Sequence, residues 1–240
     1  MNLPLAFFAQ SQIELIYVWE RATPAGKGII VVLMFFSVFA WSIMASKAVE
    51  MRRARRLNQY FDVEFRRQST VLAIHARKVE VDGCPLFAVY RAGCQELDGR
   101  LKAGPDGGKT FVSLKAMEHV KRTLERAVAQ ECLRLESGLI LLAIAVSGAP
   151  FLGLLGTVWG VMSAFSYVAM QGHADLATMA PGVAGALITT VAGLLVAIPS
   201  MFGYNWLVHN LRVLTVELDN FAQELVSKME TEYLQEDNGR

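Results

Sequence analysis

Three long apolar stretches, separated by polar segments, dominate the hydropathy pattern of this chain. They cover residues 27–46, 138–171 and 179–208, and apart from Lys27 they contain no charged residue. At 1.5 Å per residue, about 19 residues of helix reach roughly 28 Å, which is close to the thickness of the hydrocarbon core of a bilayer. The pattern therefore predicts an all-α integral membrane protein with three transmembrane helices at these ranges.

The polar segments predict which ends of these helices face the cytoplasm. A dense basic cluster follows the first span and comprises Lys47, Arg52, Arg53, Arg55 and Arg56. Because positive charge is retained on the cytoplasmic side, we expect the amino terminus outside and the carboxyl terminus inside. A basic run can also bind nucleic acid, but beside a membrane helix the topology and lipid headgroups explain it more simply. We therefore expect no nucleic-acid partner.

This orientation assigns a location to each segment outside the spans. Residues 1–26 are predicted to be an amphipathic segment at the periplasmic surface, and 172–178 a periplasmic turn. Residues 47–137 and 209–240 become cytoplasmic, with long helices extending into the cytoplasm. Within 209–240 the apolar positions recur every three or four residues, which predicts a coiled-coil-like seam of Leu211, Leu214, Leu218, Phe221 and Leu225.

Within these segments the pattern also predicts where helices begin and end. Pro85 lies near the first turn of a helix over 85–93, and 98–110 is a loop rich in glycine and proline. A helical pattern over 111–136 has no breaker before the second span, so one long helix is expected there. Thr178 or Ala180 is expected to cap the third span, with Pro181 at its first position.

Two of the spans carry a stripe of small residues at helical spacing. On a helix these residues share a face, which lets two backbones approach closely within a membrane. We therefore predict helix packing, and assembly of copies of the chain, through these stripes and the cytoplasmic helices. The predicted packing glycines are Gly153, Gly156, Gly160, Gly182, Gly185 and Gly193.

Four further residues in these two spans have predicted roles. Pro150 and Pro199 lie inside the apolar runs and are expected to kink their helices. Thr157 lies in the middle of the stripe of the second span, and Thr190 has the same position in the third. A threonine in a membrane helix either bonds its own backbone or lines a polar path, and the spacing leaves both interpretations open.

Composition agrees with a membrane protein and argues against several other classes. Hydrophobic residues make up 53% of the chain and charged residues 19%, and the mean hydropathy is +0.35. Cys84, Cys94 and Cys132 match no zinc or redox spacing and are interpreted as reduced thiols. The four histidines are scattered and no nucleophile or acid–base constellation is evident, so neither an enzyme nor a bound cofactor is expected.

Two segments of these spans resemble a known family. The sequences APFLGLLGTVWGVMSAF (149–165) and APGVAGALITTVAGLLVAIPSMFGYN (180–205) are similar to the signature segments of the ExbB/TolQ proteins, relatives of the flagellar stator subunit MotA. The resemblance implies a proton-channel subunit of the bacterial inner membrane, which couples proton motive force to work in the cell envelope. It also implies that Thr157 and Thr190 are the threonines that line the pore.

The resemblance further implies a set of partners. Proteins of this family form a homopentamer around two copies of an ExbD- or TolR-like protein, which has a single span and an intramembrane aspartate. A TonB- or TolA-like protein is a further partner. The expected cargo of the pore is H⁺, so no resident cofactor or metal is needed.

One position departs from the family pattern. Gly185 occupies a position where the family usually has a glutamate, so residues 28–46, 138–171 and 179–208 contain no titratable carboxylate. Because threonine cannot hold a proton near neutral pH, the titrating group must then come from the partner. Two alternatives are a non-conducting membrane scaffold and a small-solute transporter. The transporter is disfavoured because the chain has no internal repeat.

Overall fold

The computed structural model describes residues 23–101, 111–171 and 176–234. These residues form six helices and contain no named strand: α1 (Pro24–Arg67), α2 (Ala73–Ala76), α3 (Pro85–Asp98), α4 (Leu114–Glu136), α5 (Leu139–Gln171) and α6 (Leu176–Tyr233). The all-α class is therefore confirmed. Residues 172–175 of the predicted periplasmic turn and nearly all of the amino-terminal segment lie outside the described residues, as does most of the glycine-rich loop. Residues 176–178, predicted as the end of that turn, belong to α6 instead.

Three of the helices are long and apolar enough to cross a membrane, namely α1, α5 and α6. This agrees with the predicted number of spans. Two of the helices continue well beyond the apolar stretch, since α1 has 44 residues and α6 has 58. The direction in which they cross stays a prediction.

The expectation of one unbroken helix from 111 into the second span is wrong. Helix α4 ends at Glu136 and α5 begins at Leu139. Between them, the N–H of Ser137 donates a last bond to the carbonyl of Leu133 at 3.0 Å, and Gly138 has a φ of +85°. Residues with a side chain avoid that backbone conformation, so a glycine just after the last turn terminates a helix.

The predicted start of the third span is also wrong. Helix α6 begins at Leu176, so Pro181 lies inside the helix rather than at its first position, and neither Thr178 nor Ala180 is its cap. Pro150 and Pro199 lie inside α5 and α6 respectively. A proline inside a helix frees a carbonyl one turn earlier, and a neighbouring Ser200 hydroxyl donates to the carbonyl of Val196 at 2.7 Å.

The chain divides into two compact units, which we describe separately. The membrane unit contains the chain up to Ala45 together with Gly138–Trp206, and the polar unit contains Ser46–Ser137 together with the chain from Leu207 onward. The core of the membrane unit is small and includes Leu33, Ala149, Val196 and Ala197. Most of its large apolar side chains are exposed, as lipid-facing residues are.

The core of the polar unit is built from large side chains contributed by α1, α3, α4 and α6. Its centre is a group of aromatic rings with centroids 5.2–6.3 Å apart: Phe61, Phe65, Phe87, Tyr90 and Phe221. Leu218 and Leu225 of the predicted seam are fully buried in the same core. Part of the predicted seam therefore packs within the chain, and its role in contact between copies stays a prediction.

Side-chain hydrogen bonds fix the connection between α1 and α3 in this unit. The Asn58 side-chain oxygen accepts from the N–H of Leu86 at 3.2 Å, next to Pro85 in the first turn of α3. The Tyr90 hydroxyl donates to the carbonyl of Val71 at 2.6 Å and accepts from the N–H of His75 at 2.9 Å. These bonds tie the segment between α1 and α3 to the core.

Candidate ion-pathway site

Helices α5 and α6 approach each other closely along their small-residue stripes. A Cβ atom at Gly193 would lie 2.6 Å from the carbonyl oxygen of Ala149, and one at Gly153 would lie 2.8 Å from that of Thr189. Both distances are shorter than side-chain carbons tolerate, and the neighbouring atoms belong to the backbone. The glycines therefore allow backbone contact between the two helices.

The stripe continues toward the start of α6 through contacts with small side chains. A Cβ atom at Gly160 would lie 2.5 Å from the Cβ of Ala186, and one at Gly182 would lie 3.2 Å from the Cβ of Ala164. Gly185, where the resemblance led us to expect a glutamate, is buried. No carboxylate replaces that glutamate elsewhere in the described parts of α5 or in residues 176–206 of α6.

Three threonine hydroxyls meet at the centre of this contact. Thr157 donates to the carbonyl of Leu154 at 2.7 Å, and its oxygen lies 3.4 Å from the hydroxyl of Thr190. The hydroxyl of Thr190 also lies 3.2 Å from the carbonyl of Gly153. Two residues 33 positions apart in the sequence are therefore brought within hydrogen-bond distance.

The third hydroxyl belongs to Thr189, which the sequence analysis did not single out. Its side chain is fully buried and lies against the backbone of Gly156. Its hydroxyl oxygen lies 2.7 Å from the carbonyl oxygen of Ala186 and 2.9 Å from that of Gly153. The sequence signal was its four-residue spacing from Gly185 and Gly193, which places all three on one helix face. Thr189 therefore packs the two helices together, whereas Thr190 is only partly buried.

The chemistry available at this site is limited by its residue types. A threonine hydroxyl donates one hydrogen bond and accepts others, but it does not ionise near neutral pH. The described residues contain no group of three or more His, Cys, Asp or Glu side chains that could hold a metal ion. The arrangement can therefore orient water or a carboxylate, and any group that titrates must be brought to it.

Burial shifts the pKa of three side chains in the described part of the polar unit that could act as nucleophiles. Burial raises the pKa of the Cys84 thiol, and it raises the pKa of Cys94 to about 12. Burial also raises the pKa of Tyr90, whose hydroxyl is already engaged with the backbone. Both buried thiols are therefore protonated at neutral pH and are poor nucleophiles.

Comparison with known proteins identifies the class to which this fold and site belong. The model of the MotA/TolQ/ExbB proton channel family matches residues 87–220, which include α4, α5 and most of α3 and α6. More than half of the chain is covered. The chain belongs to the MotA/TolQ/ExbB proton channel family, and with its three apolar helices it is a protein of the bacterial inner membrane.

Individual relatives carry two different names within this family. The chain is 29% identical to the biopolymer transport protein ExbB of Neisseria meningitidis over 208 residues, which cover 87% of this chain and 93% of that protein. It is 34% identical to the Tol-Pal system protein TolQ of Pseudomonas aeruginosa over 180 residues, covering 74% and 75%. It is 42% identical to the ExbB of Xanthomonas campestris over 153 residues, covering 64% and 60%.

Proposed function

We propose that this chain is the proton-channel subunit of an inner-membrane motor that converts proton motive force into work in the cell envelope. Five copies surround two copies of a single-span partner of the ExbD/TolR type, and a TonB- or TolA-like protein receives the work. Members of this family are channel or scaffold subunits associated with transport and are not known as enzymes. They work with ExbD/TolR-like partners in the membrane.

The observation that carries the proposal is the hydroxyl pair of Thr157 and Thr190. These are the two threonines that the family resemblance assigns to the pore, and their oxygens lie 3.4 Å apart on facing helices. Around them the apolar spans offer no charged side chain, so these hydroxyls are the polar groups best placed to meet a proton carrier. In this scheme they bracket the path of the proton.

The proton acceptor in this scheme is a carboxylate on the span of the partner. When that carboxylate reaches the threonine pair, a hydroxyl donates to its charged form and accepts from its protonated form. Each proton that crosses the membrane releases about 2.3 kcal/mol per 100 mV. A few protons per step therefore exceed thermal energy several-fold, which is enough to drive a conformational cycle.

The test compares proton flux through proteoliposomes for the wild type, Thr157→Val and Thr190→Val, each with and without the partner. Valine keeps the shape of threonine and removes the hydroxyl, so we expect intact assembly and a loss of partner-dependent flux. Thr157→Ser and Thr190→Ser are the matched controls, because they restore the hydroxyl, and should recover much of the flux. Full conductance by this chain alone, or normal flux in both valine variants, would contradict the proposal.

Gly185 gives a specific reason to carry a second candidate, the non-conducting scaffold. A chain that kept the assembly but lost ion flow would also lose the intramembrane glutamate. The same flux measurement separates the two, since a scaffold assembles with its partner yet passes no protons under any membrane potential. Partner-dependent flux in the wild type would exclude the scaffold.

The proposal also requires the amino terminus outside and the carboxyl terminus inside. Single cysteines at Arg55, which is exposed, and at Ala174, in a cysteine-free background, should then react differently with an impermeant maleimide added to intact spheroplasts. We expect labelling at position 174 and protection at position 55. Equal labelling at both positions would refute the three-span orientation.

A further inference from the structure

One exposed face of α4 in the polar unit carries a stripe with three basic residues and none that is acidic, which we call the basic stripe. Its residues recur every three or four positions, and all of them are exposed: Lys115, His119, Arg122, Arg126, Ala129 and Leu133. Arg122 makes an ion pair with Glu118 on its own helix at 3.5 Å, whereas Arg126 makes none within 4 Å among the described residues. Leu133, at the end of the stripe, is 67% exposed.

A groove of about 500 Å³ lies between α4 and α6 of the same unit. Its floor is apolar and includes Leu124, Val128 and Ala222, all of them buried. Its rim carries Glu125, Asp219 and Glu230, with Lys121 as the single basic residue. None of these four side chains forms an ion pair with another residue in the described part of the chain. We call this feature the acidic groove.

The basic stripe and the acidic groove occupy the same turns of α4 but different faces of it. Arg122 follows Lys121 by one residue, and Arg126 follows Glu125 by one residue, so each step turns by about 100° around the helix. The stripe therefore cannot fill the groove of its own chain. A second copy can bring its stripe to that groove if the two copies are related by a rotation about an axis parallel to α4. Such a rotation needs no shift of one copy along the helix axis.

The contact between α4 and α6 sets the height at which the two surfaces would meet. The Cys132 thiol lies 3.4 Å from the Thr215 hydroxyl, and the two helices run antiparallel from there, because Val128 and Asp219 line the same groove. We take this pair as the reference height and count about 1.5 Å along the helix axis for each residue. Arg126 then lies at the same height as Asp219, and Leu133 at the same height as Val216, each to within about 3 Å. Val216 is 51% exposed, so an apolar pair meets next to a charged pair.

We propose that the acidic groove of one copy of this chain receives the basic stripe of the next copy. The contact joins two different surfaces, so it is head-to-tail, and at a constant height such contacts close into a ring instead of a filament. Complementary charge favours contact between a stripe and a groove over contact between two stripes or between two grooves, in which like charges would face each other. The inference rests on the proposed function only in that copies of the chain assemble.

Charge reversal tests this surface in the full-length protein in mild detergent, with native mass spectrometry and a dilution series as the readout. We expect the double variant R122E/R126E to weaken assembly by about tenfold or more, and E125R/D219R to do the same. The variant that combines all four substitutions should recover assembly, because the charges again face their opposites. R67E/R91E, exposed arginines on α1 and α3, is the control of equal charge change and should assemble normally.

Cross-linking tests the head-to-tail geometry independently of affinity. In a Cys132→Ser background, Arg126→Cys and Asp219→Cys are made separately and together, and treated with a short bis-maleimide. Each single variant should stay uncrosslinked, a mixture of the two should give dimers, and the double variant should give a ladder of species up to the closed ring. Dimers from either single variant would indicate a two-fold contact and overturn the inference.

The remaining outcomes separate this inference from the proposed function. An unchanged ring in R122E/R126E, or a combined variant that does not recover, overturns the docking surface while leaving the channel proposal intact. A wild type that stays monomeric in detergent and in nanodiscs overturns both. Cross-links from Asp219→Cys to the single-span partner, in place of a second copy, would assign the groove to that partner and overturn the inference.

Discussion

The membrane unit and the polar unit are both helical, yet different side chains hold them together. In the membrane unit the helices meet through Gly153, Gly193 and neighbouring alanines, and large side chains such as Phe35 remain 73% exposed. In the polar unit the arrangement is reversed, because aromatic rings and leucines fill the core and charges cover the surface. The solvent explains this difference, since water drives large apolar groups inward and lipid does not.

The comparison predicts that removing a large side chain is most harmful in the polar unit. Leu218→Ala empties a fully buried position, and we expect it to lower the free energy of unfolding by about 2–5 kcal/mol. Leu155→Ala, at a half-exposed position of the membrane unit, is the matched control and should cost less than about 1 kcal/mol. Chemical denaturation in detergent measures both values, and equal losses would remove the contrast.

The opposite substitution, small to large, should be most harmful in the membrane unit. Gly193→Ala places a methyl group 2.6 Å from a backbone carbonyl, which cannot move aside as a flexible side chain can. We expect a loss of about 3 kcal/mol in the free energy of unfolding. Gly148→Ala is the control on α5, because no heavy atom lies within 4 Å of its added Cβ, and it should be neutral or slightly stabilising. A neutral Gly193→Ala would show that the backbones do not touch.

A single hydrogen-bonding hydroxyl should have an intermediate effect in the polar unit. Tyr90→Phe removes the group that donates to Val71 and accepts from His75, leaving both backbone groups without that partner. We expect a loss of about 2 kcal/mol, because unpaired buried polar groups keep their desolvation cost. Tyr60→Phe, at a position that is 71% exposed, is the control and should change little. Thermal unfolding of the two variants side by side gives the difference.

Surface charge should have the smallest effect in this series. Arg66 binds Glu224 through two hydrogen bonds at 2.8 and 3.0 Å and also pairs with Asp62, but its side chain is 55% exposed. The pKa of Arg66 is raised, chiefly by its bond to Asp62. A double-mutant cycle of Arg66→Ala and Glu224→Ala should give a coupling of about 0.2–1 kcal/mol that weakens with added salt. A salt-independent coupling well above this range would contradict a solvated pair.

The sequence predicted the broad features of the fold because long apolar stretches leave few alternatives. The break between α4 and α5 was missed, because the helical pattern on either side of it is continuous. A signal was nevertheless present, since Arg134 in the last turn followed by Gly138 is typical of a helix end. The early start of α6 had no comparable signal, because Pro181 lies beyond the first turn, and a proline normally occupies the first turn of a helix.

For the candidate site, the sequence predicted which residues lie on the small-residue stripes, but not which of them are buried. Spacing placed Thr157 and Thr190 on the small-residue faces, and the structure brings their hydroxyls together. Spacing alone did not decide which of the adjacent threonines Thr189 and Thr190 is buried, because each lies three or four residues from small residues on both sides. The distinction depends on which side of α6 meets Gly156, and only the packed helix pair defines that side.

The conformation of Gly138 limits which residues can occupy that position. Its φ of +85° is open to glycine and, at some cost, to asparagine or aspartate, while a β-branched residue there is strained by about 1–2 kcal/mol. In the language of coding, the alphabet of amino acids that this position accepts is reduced to two or three letters. Its neighbours Ile140 and Leu141, exposed on the apolar helix, have a far larger alphabet, because many apolar residues would serve equally well. In a saturation mutagenesis library, position 138 should therefore tolerate far fewer substitutions than positions 140 and 141. That intolerant position marks where α4 ends and α5 begins.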